Sequence, residues 1–211
     1  SHSKQLTKRM HQQMTVKNFI TSFSSGLMIH CIAHDPRSGK SITILLICKY
    51  LLECIGYKRI LIMTSVPQTI VSFTKELEKY IDFMGIDYKL QDDIDSIEKS
   101  FNGIIFCSVQ YLKTNPHTKK EFLSQIDAII ADESQQGSST DKTKKEILNI
   151  NNGQLTIFAS GTSSKTEKYY NIPNSGIHKW GVLEDVSSVS YTHLRAHETS
   201  LHLVCRRLLE R

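Results

Sequence analysis

The residues best suited to chemistry lie in two short segments of this 211-residue chain. The first reads Asp-Pro-Arg-Ser-Gly-Lys-Ser at residues 35–41 and follows an apolar stretch. Backbone N–H groups of such a turn, and those at the start of the next helix, point at phosphate oxygens. Lys40 would neutralise the β- and γ-phosphates, the Ser41 hydroxyl would bind Mg²⁺, and Gly39 would leave room for the phosphates. The predicted triphosphate contacts are Asp35, Pro36, Arg37, Ser38, Gly39, Lys40 and Ser41.

This first segment departs from the full phosphate-loop pattern G-x-x-x-x-G-K-[ST], because His34 stands where the first glycine belongs. Taken alone, Gly39-Lys40-Ser41 therefore fits an ordinary strand-to-helix turn with an exposed lysine equally well. A second chemical segment has to distinguish the two interpretations.

That second segment is the acidic pair Asp132-Glu133, which follows the apolar run 128–131. In open α/β sheets the carboxyl ends of the strands form the edge at which ligands bind. Phosphoryl transfer needs one group for the metal and one for the nucleophile. We predict that Asp132 holds Mg²⁺ through water and that Glu133 orients and deprotonates the attacking water. A pair of acids can also begin a solvated helix, but its place after a buried-type strand favours a nucleotide-hydrolysing site.

Short apolar runs separated by helical segments must position these residues. Strands are predicted over 27–33, 59–64, 103–108, 128–132 and 155–160, with helices over 4–24, 40–53 and 68–84. Near-continuous apolar strands between helices are typical of an α/β fold with a mostly parallel sheet that helices cover on both faces. The domain prediction is a helical entry at 1–25, the main domain at 26–187 and a tail at 188–211.

Composition narrows the class of protein further. A net charge of +5 agrees with a polyanionic partner, and the five scattered cysteines show no zinc spacing. No apolar run is long enough to cross a bilayer, and the polar N-terminus lacks a signal-peptide core. We therefore expect an intracellular protein with no membrane partner.

With both segments in view, the chain resembles the first RecA-like domain of superfamily 2 helicases, nearest the type III restriction-enzyme and viral-helicase branch. The resemblance covers about residues 5–170. Residues 8–13 resemble the motif that reads adenine in this family, which implies that Gln12 contacts the base. The resemblance implies ATP as substrate, Mg²⁺ as cofactor and DNA or RNA as partner, with movement along the strand coupled to ATP hydrolysis.

The resemblance also assigns roles outside the two segments. Contacts to the nucleic-acid backbone are implied for Thr64, Ser65, Pro67, Ser108 and Gln110. Coupling between the nucleotide and the strand is implied for Gln135, Ser160 and Thr162. The family's second RecA-like domain, with its arginine fingers, has no counterpart in this sequence, so we expect ATP binding with weak hydrolysis. Residues 188–211 resemble translated sequencing-adapter DNA, and this tail is expected to be non-native.

Two other functions fit parts of the pattern. One is another phosphate-loop phosphotransferase, such as a kinase, although neither a lid of arginines nor an acceptor pocket is recognisable. The other is a non-catalytic nucleic-acid-binding module, for which His34 and Gln135 leave room.

Overall fold

The computed structural model describes residues 2–35, 38–114, 121–132, 152–161 and 171–180. Its strands are β1 (Ile29–His34), β2 (Arg59–Thr64), β3 (Tyr88–Leu90), β4 (Gly103–Ser108), β5 (Ala128–Asp132), β6 (Leu155–Ser160) and β7 (Ile177–Trp180). They form one sheet in the order β3-β4-β2-β5-β6-β1-β7. Every neighbouring pair is parallel, which confirms the predicted sheet.

The helices α1 (Met10–Ser24), α2 (Lys40–Tyr50), α3 (Pro67–Lys79) and α4 (Val109–Thr114) accompany the sheet, and residues 121–124 are also helical. A π-helical turn, Leu51–Ile55, continues α2, and short 3₁₀ turns occur at Ile81–Phe83, Gln91–Ser96 and Asn174–Gly176. The long helices return from the carboxyl end of one strand to the start of the next, as parallel pairing requires.

The central strands are largely apolar because both faces of the sheet are covered. All six residues of β2 and of β6 are buried. One face packs on α1, α2 and α3 through residues such as Phe19, Leu45 and Phe73. The other face packs on α4 and the segment 121–126 through Leu112, Phe122 and Ile126. Helical cover on both faces is therefore confirmed.

The N-terminal helix is shorter than the predicted span 4–24, since it begins at Met10. Ser3 and Lys4 instead donate backbone hydrogen bonds to the carbonyl of Lys79, both at 3.3 Å, and Ile81 donates to the carbonyl of Lys4 at 2.9 Å. The end of α3 thus satisfies the backbone groups of the first residues, and they stay extended. The predicted helix 68–84 also ends early, at Lys79, because Tyr80 is extended.

Two strands were not predicted from sequence, β3 and β7, and they are the two edges of the sheet. Each is short and contains a lysine, so neither shows an apolar run. The domain boundaries stay predictions, and the tail at 188–211 lies outside the described residues. None of the helices among the described residues combines the length and apolarity that crossing a membrane would require.

Candidate nucleotide-binding site

The predicted site residues are gathered at the carboxyl edge of the sheet. In register across β4, β2 and β5, Thr64 lies between Ser108 and Asp132. Further along the same edge, Ser160 at the end of β6 pairs with Ala33 of β1. Strand β6 therefore lies between β1, which precedes the phosphate turn, and β5, which ends in Asp132.

Lys40 and Asp132 meet at this edge. The Lys40 Nζ atom lies 2.8 Å from Asp132 Oδ1, and the two side chains are 25% and 7% exposed. The contact is a charge pair without the alignment of a hydrogen bond, so Asp132 Oδ1 has no hydrogen-bond partner among the described residues. The residues expected to bind the phosphates and the metal thus share one partly buried site.

Gly39 gives the turn its shape. Its φ of 81° is left-handed, and α2 begins directly after it. A Cβ atom built on Gly39 would lie 2.5 Å from Gln12 Nε2, which is closer than atoms can approach. The left-handed backbone therefore favours glycine, and a side chain at this position would displace the Gln12 amide from the turn.

Gln12 and His11 of α1 both contact the phosphate turn. Gln12 donates from Nε2 to the Gly39 carbonyl at 3.3 Å and accepts from the Arg9 N–H at 2.9 Å. His11 Nε2 lies 2.6 Å from the Ser38 carbonyl oxygen, and its ring stacks on Trp180 of β7 at 5.1 Å. The proposed contact of Gln12 with adenine stays a prediction, but its amide is next to the turn.

His34, which replaces the first glycine of the phosphate-loop pattern, is the last residue of β1 and is buried. Its Nε2 atom lies 2.9 Å from the Thr15 hydroxyl of α1. Burial, with the nearby charges of His11 and Lys40, lowers the pKa of His34 to about 4, while Asp35 opposes this shift. A neutral imidazole packed against α1 explains how the chain tolerates a large residue at this position.

The hydroxyl of Ser41 lies within hydrogen-bonding reach of Glu76, which is on α3. Burial raises the pKa of the Glu76 carboxyl, and the Ser41 hydrogen bond and the charge of Lys79 oppose this rise. No sequence motif indicated Glu76, because the packing of α3 beside α2 brings it to the site.

Buried side-chain atoms without a hydrogen-bond partner are concentrated at this site. Within the described part of the chain, the buried side-chain atoms without a hydrogen-bond partner are His34 Nδ1, Ser38 Oγ, Glu76 Oε2 and Asp132 Oδ1. All four belong to the phosphate turn, to its flanking strand or to residues that contact it. Buried polar atoms are normally satisfied, and such exceptions call for a ligand or water.

A magnesium ion fits these residues. Asp132 offers a buried oxygen without a hydrogen-bond partner, and Ser41 offers a hydroxyl oxygen. No cluster of three or more histidine, cysteine or acidic side chains that could hold a metal occurs in the described ranges. That suits Mg²⁺, which is commonly held by one or two carboxylates together with substrate phosphates and water.

The residues predicted to contact nucleic acid lie along the same edge, toward β4. The Thr64 hydroxyl accepts from the Val66 N–H at 3.1 Å, which shapes the turn before α3. The Ser108 hydroxyl accepts from the Tyr111 N–H at 3.1 Å and caps α4. Pro67 and Gln110 are exposed, and Ser65 is partly exposed between them and the sheet. Their contacts with nucleic acid stay predictions.

Several predicted site residues lie outside the described residues. They are Pro36, Arg37, Glu133, Gln135 and Thr162. Asp35, at the border, donates its N–H to the Trp180 carbonyl at 3.1 Å.

A family profile described as "Type III restriction enzyme, res subunit" matches residues 5–165, which include both chemical segments. The chain belongs to this family. The type III restriction enzyme res subunit domain is helicase-like, and the parallel sheet with its phosphate turn is the RecA-like ATP-binding fold that the sequence predicted. A search of curated proteins gave no significant match.

The fold is also similar to that of the UvsW helicase from bacteriophage T4, with a TM-score of 0.56 and 18% sequence identity. The match covers 79% of this chain and 56% of the helicase chain. The chain therefore corresponds to little more than half of that helicase.

Proposed function

We propose that this chain is the ATP-binding part of a helicase or translocase in which ATP hydrolysis drives movement along DNA or RNA. The ion pair between Lys40 and Asp132 carries the proposal, because it joins the phosphate turn and the acidic strand end in one site. Membership of a helicase-like family supports the same function.

Each residue of the site has a separate role in phosphoryl transfer. Lys40 exchanges the carboxylate of Asp132 for the β- and γ-phosphates, while the N–H groups at the start of α2 bind phosphate oxygens. Gln12, held beside Gly39, binds the adenine edge. Glu133 accepts the proton of the attacking water.

The Ser41 hydroxyl and, through water, Asp132 would hold Mg²⁺. When bound, it offsets the negative charge that develops on the phosphates. Since an arginine finger supplies about 10³–10⁵ in rate, we expect the chain to bind ATP well and to hydrolyse it slowly until a second RecA-like domain completes the site.

Nucleic acid binds along the edge that Thr64, Ser65, Pro67, Ser108 and Gln110 form beside the nucleotide. These residues offer hydroxyl, amide and backbone groups, which suit sequence-independent contacts with phosphate and sugar. Gln135, Ser160 and Thr162 relay the state of the nucleotide to this edge. Ser160 is buried at the end of β6, between the strand that ends in Asp132 and the strand that precedes the phosphate turn.

Titration of the 211-residue chain with a fluorescent ATP analogue in Mg²⁺, beside Lys40→Ala, tests this function. Loss of a charged phosphate contact costs roughly 1.5–3 kcal/mol, so affinity should fall about ten- to a hundredfold. Single-stranded DNA or RNA should tighten binding to the wild type. Lys49→Ala is the matched control, because that lysine lies on the same helix and pairs with Glu53.

Two outcomes would contradict the proposal. Equal affinity in Lys40→Ala and the wild type would exclude the phosphate turn as the nucleotide site. Binding that depends on Lys40 but ignores both nucleic acids would favour the kinase-like phosphotransferase instead.

A further inference from the structure

Glu76 is a half-buried carboxylate that the proposed reaction does not yet use. It lies on α3, and one of its oxygens, Oε2, is buried without a hydrogen-bond partner. Its carboxylate lies beside the Ser41 hydroxyl at the start of α2, within hydrogen-bonding reach. The residue therefore contacts the proposed magnesium site from a helix that carries none of the nucleotide motifs.

The fold alone gives little reason for an acid at this position. Burial of a carboxylate is costly unless it is paired and fully hydrogen-bonded, and burial raises the pKa of Glu76. The neighbouring α3 residues that face the core, Phe73 and Leu77, are apolar. An apolar residue between the helices would be expected to stabilise the domain at least as well, so the carboxylate indicates a role in the site.

The chemistry of a metal-bound hydroxyl supplies that role. A serine oxygen that ligates Mg²⁺ uses a lone pair, so its hydrogen must point to a different acceptor. A carboxylate is the strongest acceptor available in a protein, and it also makes the ligand oxygen more electron-rich. Outer-shell partners of this kind fix the orientation of metal ligands, and their loss typically costs ten- to a hundredfold in metal affinity.

We propose that Glu76 is a positioning residue that accepts the hydrogen of the Ser41 hydroxyl and so directs the Ser41 oxygen at Mg²⁺. This inference rests on the proposed function, because it presumes that Ser41 binds the metal of an ATP complex. Glu76 acts on the metal through Ser41 and touches neither the nucleotide nor the water.

The test measures metal affinity in the nucleotide complex of the full 211-residue chain. Mn²⁺ titration in the presence of a non-hydrolysable ATP analogue, followed by electron paramagnetic resonance, reports the metal without any turnover. Glu76→Ala should weaken Mn²⁺ binding about ten- to a hundredfold. Glu76→Gln should lose less, because the amide oxygen can still accept the hydroxyl hydrogen. Equal losses in the two variants would indicate a distant charge effect and overturn the proposal.

Glu78→Gln is the matched control. It removes one negative charge from the same helix, but its carboxylate accepts from the Tyr88 hydroxyl instead of Ser41. Its Mn²⁺ affinity should equal that of the wild type. Thermal unfolding of every variant, without nucleotide, identifies any change in the stability of the domain.

A double-mutant cycle decides whether Glu76 acts through Ser41. In a Ser41→Ala background, Glu76→Ala should leave Mn²⁺ affinity unchanged, whereas an undiminished loss there contradicts the proposal. Nucleotide binding in the presence of Mg²⁺ separates the two levels of inference. A wild type that binds no analogue at all refutes the proposed function, while normal binding with unaltered metal affinity in Glu76→Ala refutes only the role of Glu76.

Discussion

Some side chains at the carboxyl edge of the sheet lower the stability of the folded protein but can bind a phosphate or a metal. Ser38 Oγ is buried without a hydrogen-bond partner in the described residues, which costs about 1–3 kcal/mol, and Asp132 Oδ1 is buried with only the charge of Lys40 beside it. A phosphate or a metal that satisfied them would recover that free energy on binding. The free energy recovered in this way contributes to the affinity for the nucleotide.

Histidine titration gives a prediction at the scale of one residue. The pKa of His34 is lowered to about 4 in the folded protein, so the unfolded chain binds the proton more readily. Stability should be constant above about pH 7 and fall as pH drops through 6.5, by about 2 kcal/mol at pH 5 from His34 alone. Urea denaturation at pH 7 and pH 5 measures this.

The variant His34→Gln keeps a partner for Thr15 but cannot titrate, so its loss between pH 7 and pH 5 should be smaller than that of the wild type. His178, whose pKa burial also lowers to about 4, contributes a similar loss in both proteins. An identical pH dependence in the two proteins would show that folding does not lower the pKa of His34.

At the scale of elements, α3 connects three parts of the molecule. Its first residue, Pro67, follows the predicted nucleic-acid contacts, Glu76 reaches Ser41, and the chain just beyond its end holds the N-terminal segment. That segment leads directly to Gln12 and the phosphate turn. A shift of α3 on nucleic-acid binding would thus reach both the metal ligand and the adenine contact.

Asp82, in the 3₁₀ turn that follows α3, attaches the N-terminal segment through its side chain. It accepts from the Leu6 N–H at 2.9 Å and lies 3.7 Å from Lys8 Nζ, with only 8% of its side chain exposed. Asp82→Ala should lower the free energy of unfolding by about 2–3 kcal/mol and speed hydrogen exchange at Leu6. Asp93→Ala, which removes an exposed carboxylate, should change stability by less than about 0.5 kcal/mol. Equal effects would mean that Asp82 does not anchor the segment.

Sequence patterns predicted the strands that are buried on both faces of the sheet. They missed the edge strands and the contacts that depend on how helices pack together. Strands β2, β4, β5 and β6 are buried on both faces, so their apolar runs gave correct bounds. The edge strands β3 and β7 mix polar and apolar residues and have no such signal. Likewise, parallel strand ends made it possible to predict that Lys40 and Asp132 lie at one edge. Glu76 and His11 reach the turn only through helix packing, which spacing along the chain does not encode.

At the scale of the whole molecule, the candidate nucleic-acid edge carries no charged contact residue. Thr64, Ser65, Pro67, Ser108 and Gln110 are all uncharged. Counterion release therefore involves few phosphates, and the slope of log affinity against log salt for single strands should be shallower than about −2. Fluorescence anisotropy of a labelled oligonucleotide across a salt series measures it. A slope steeper than about −4 would place the binding on lysines and arginines elsewhere on the surface.

The strand order also determines when the site can form during synthesis. Lys40 and Asp132 flank β6 in space, yet residues 155–160 of β6 leave the ribosome after both of them. Until then β1 has neither of its neighbours, because β7 comes later still. A nascent chain can pair β2, β3, β4 and β5 while its phosphate turn has no fixed position. We therefore expect nucleotide to stabilise folding intermediates only after the sixth strand has entered the sheet.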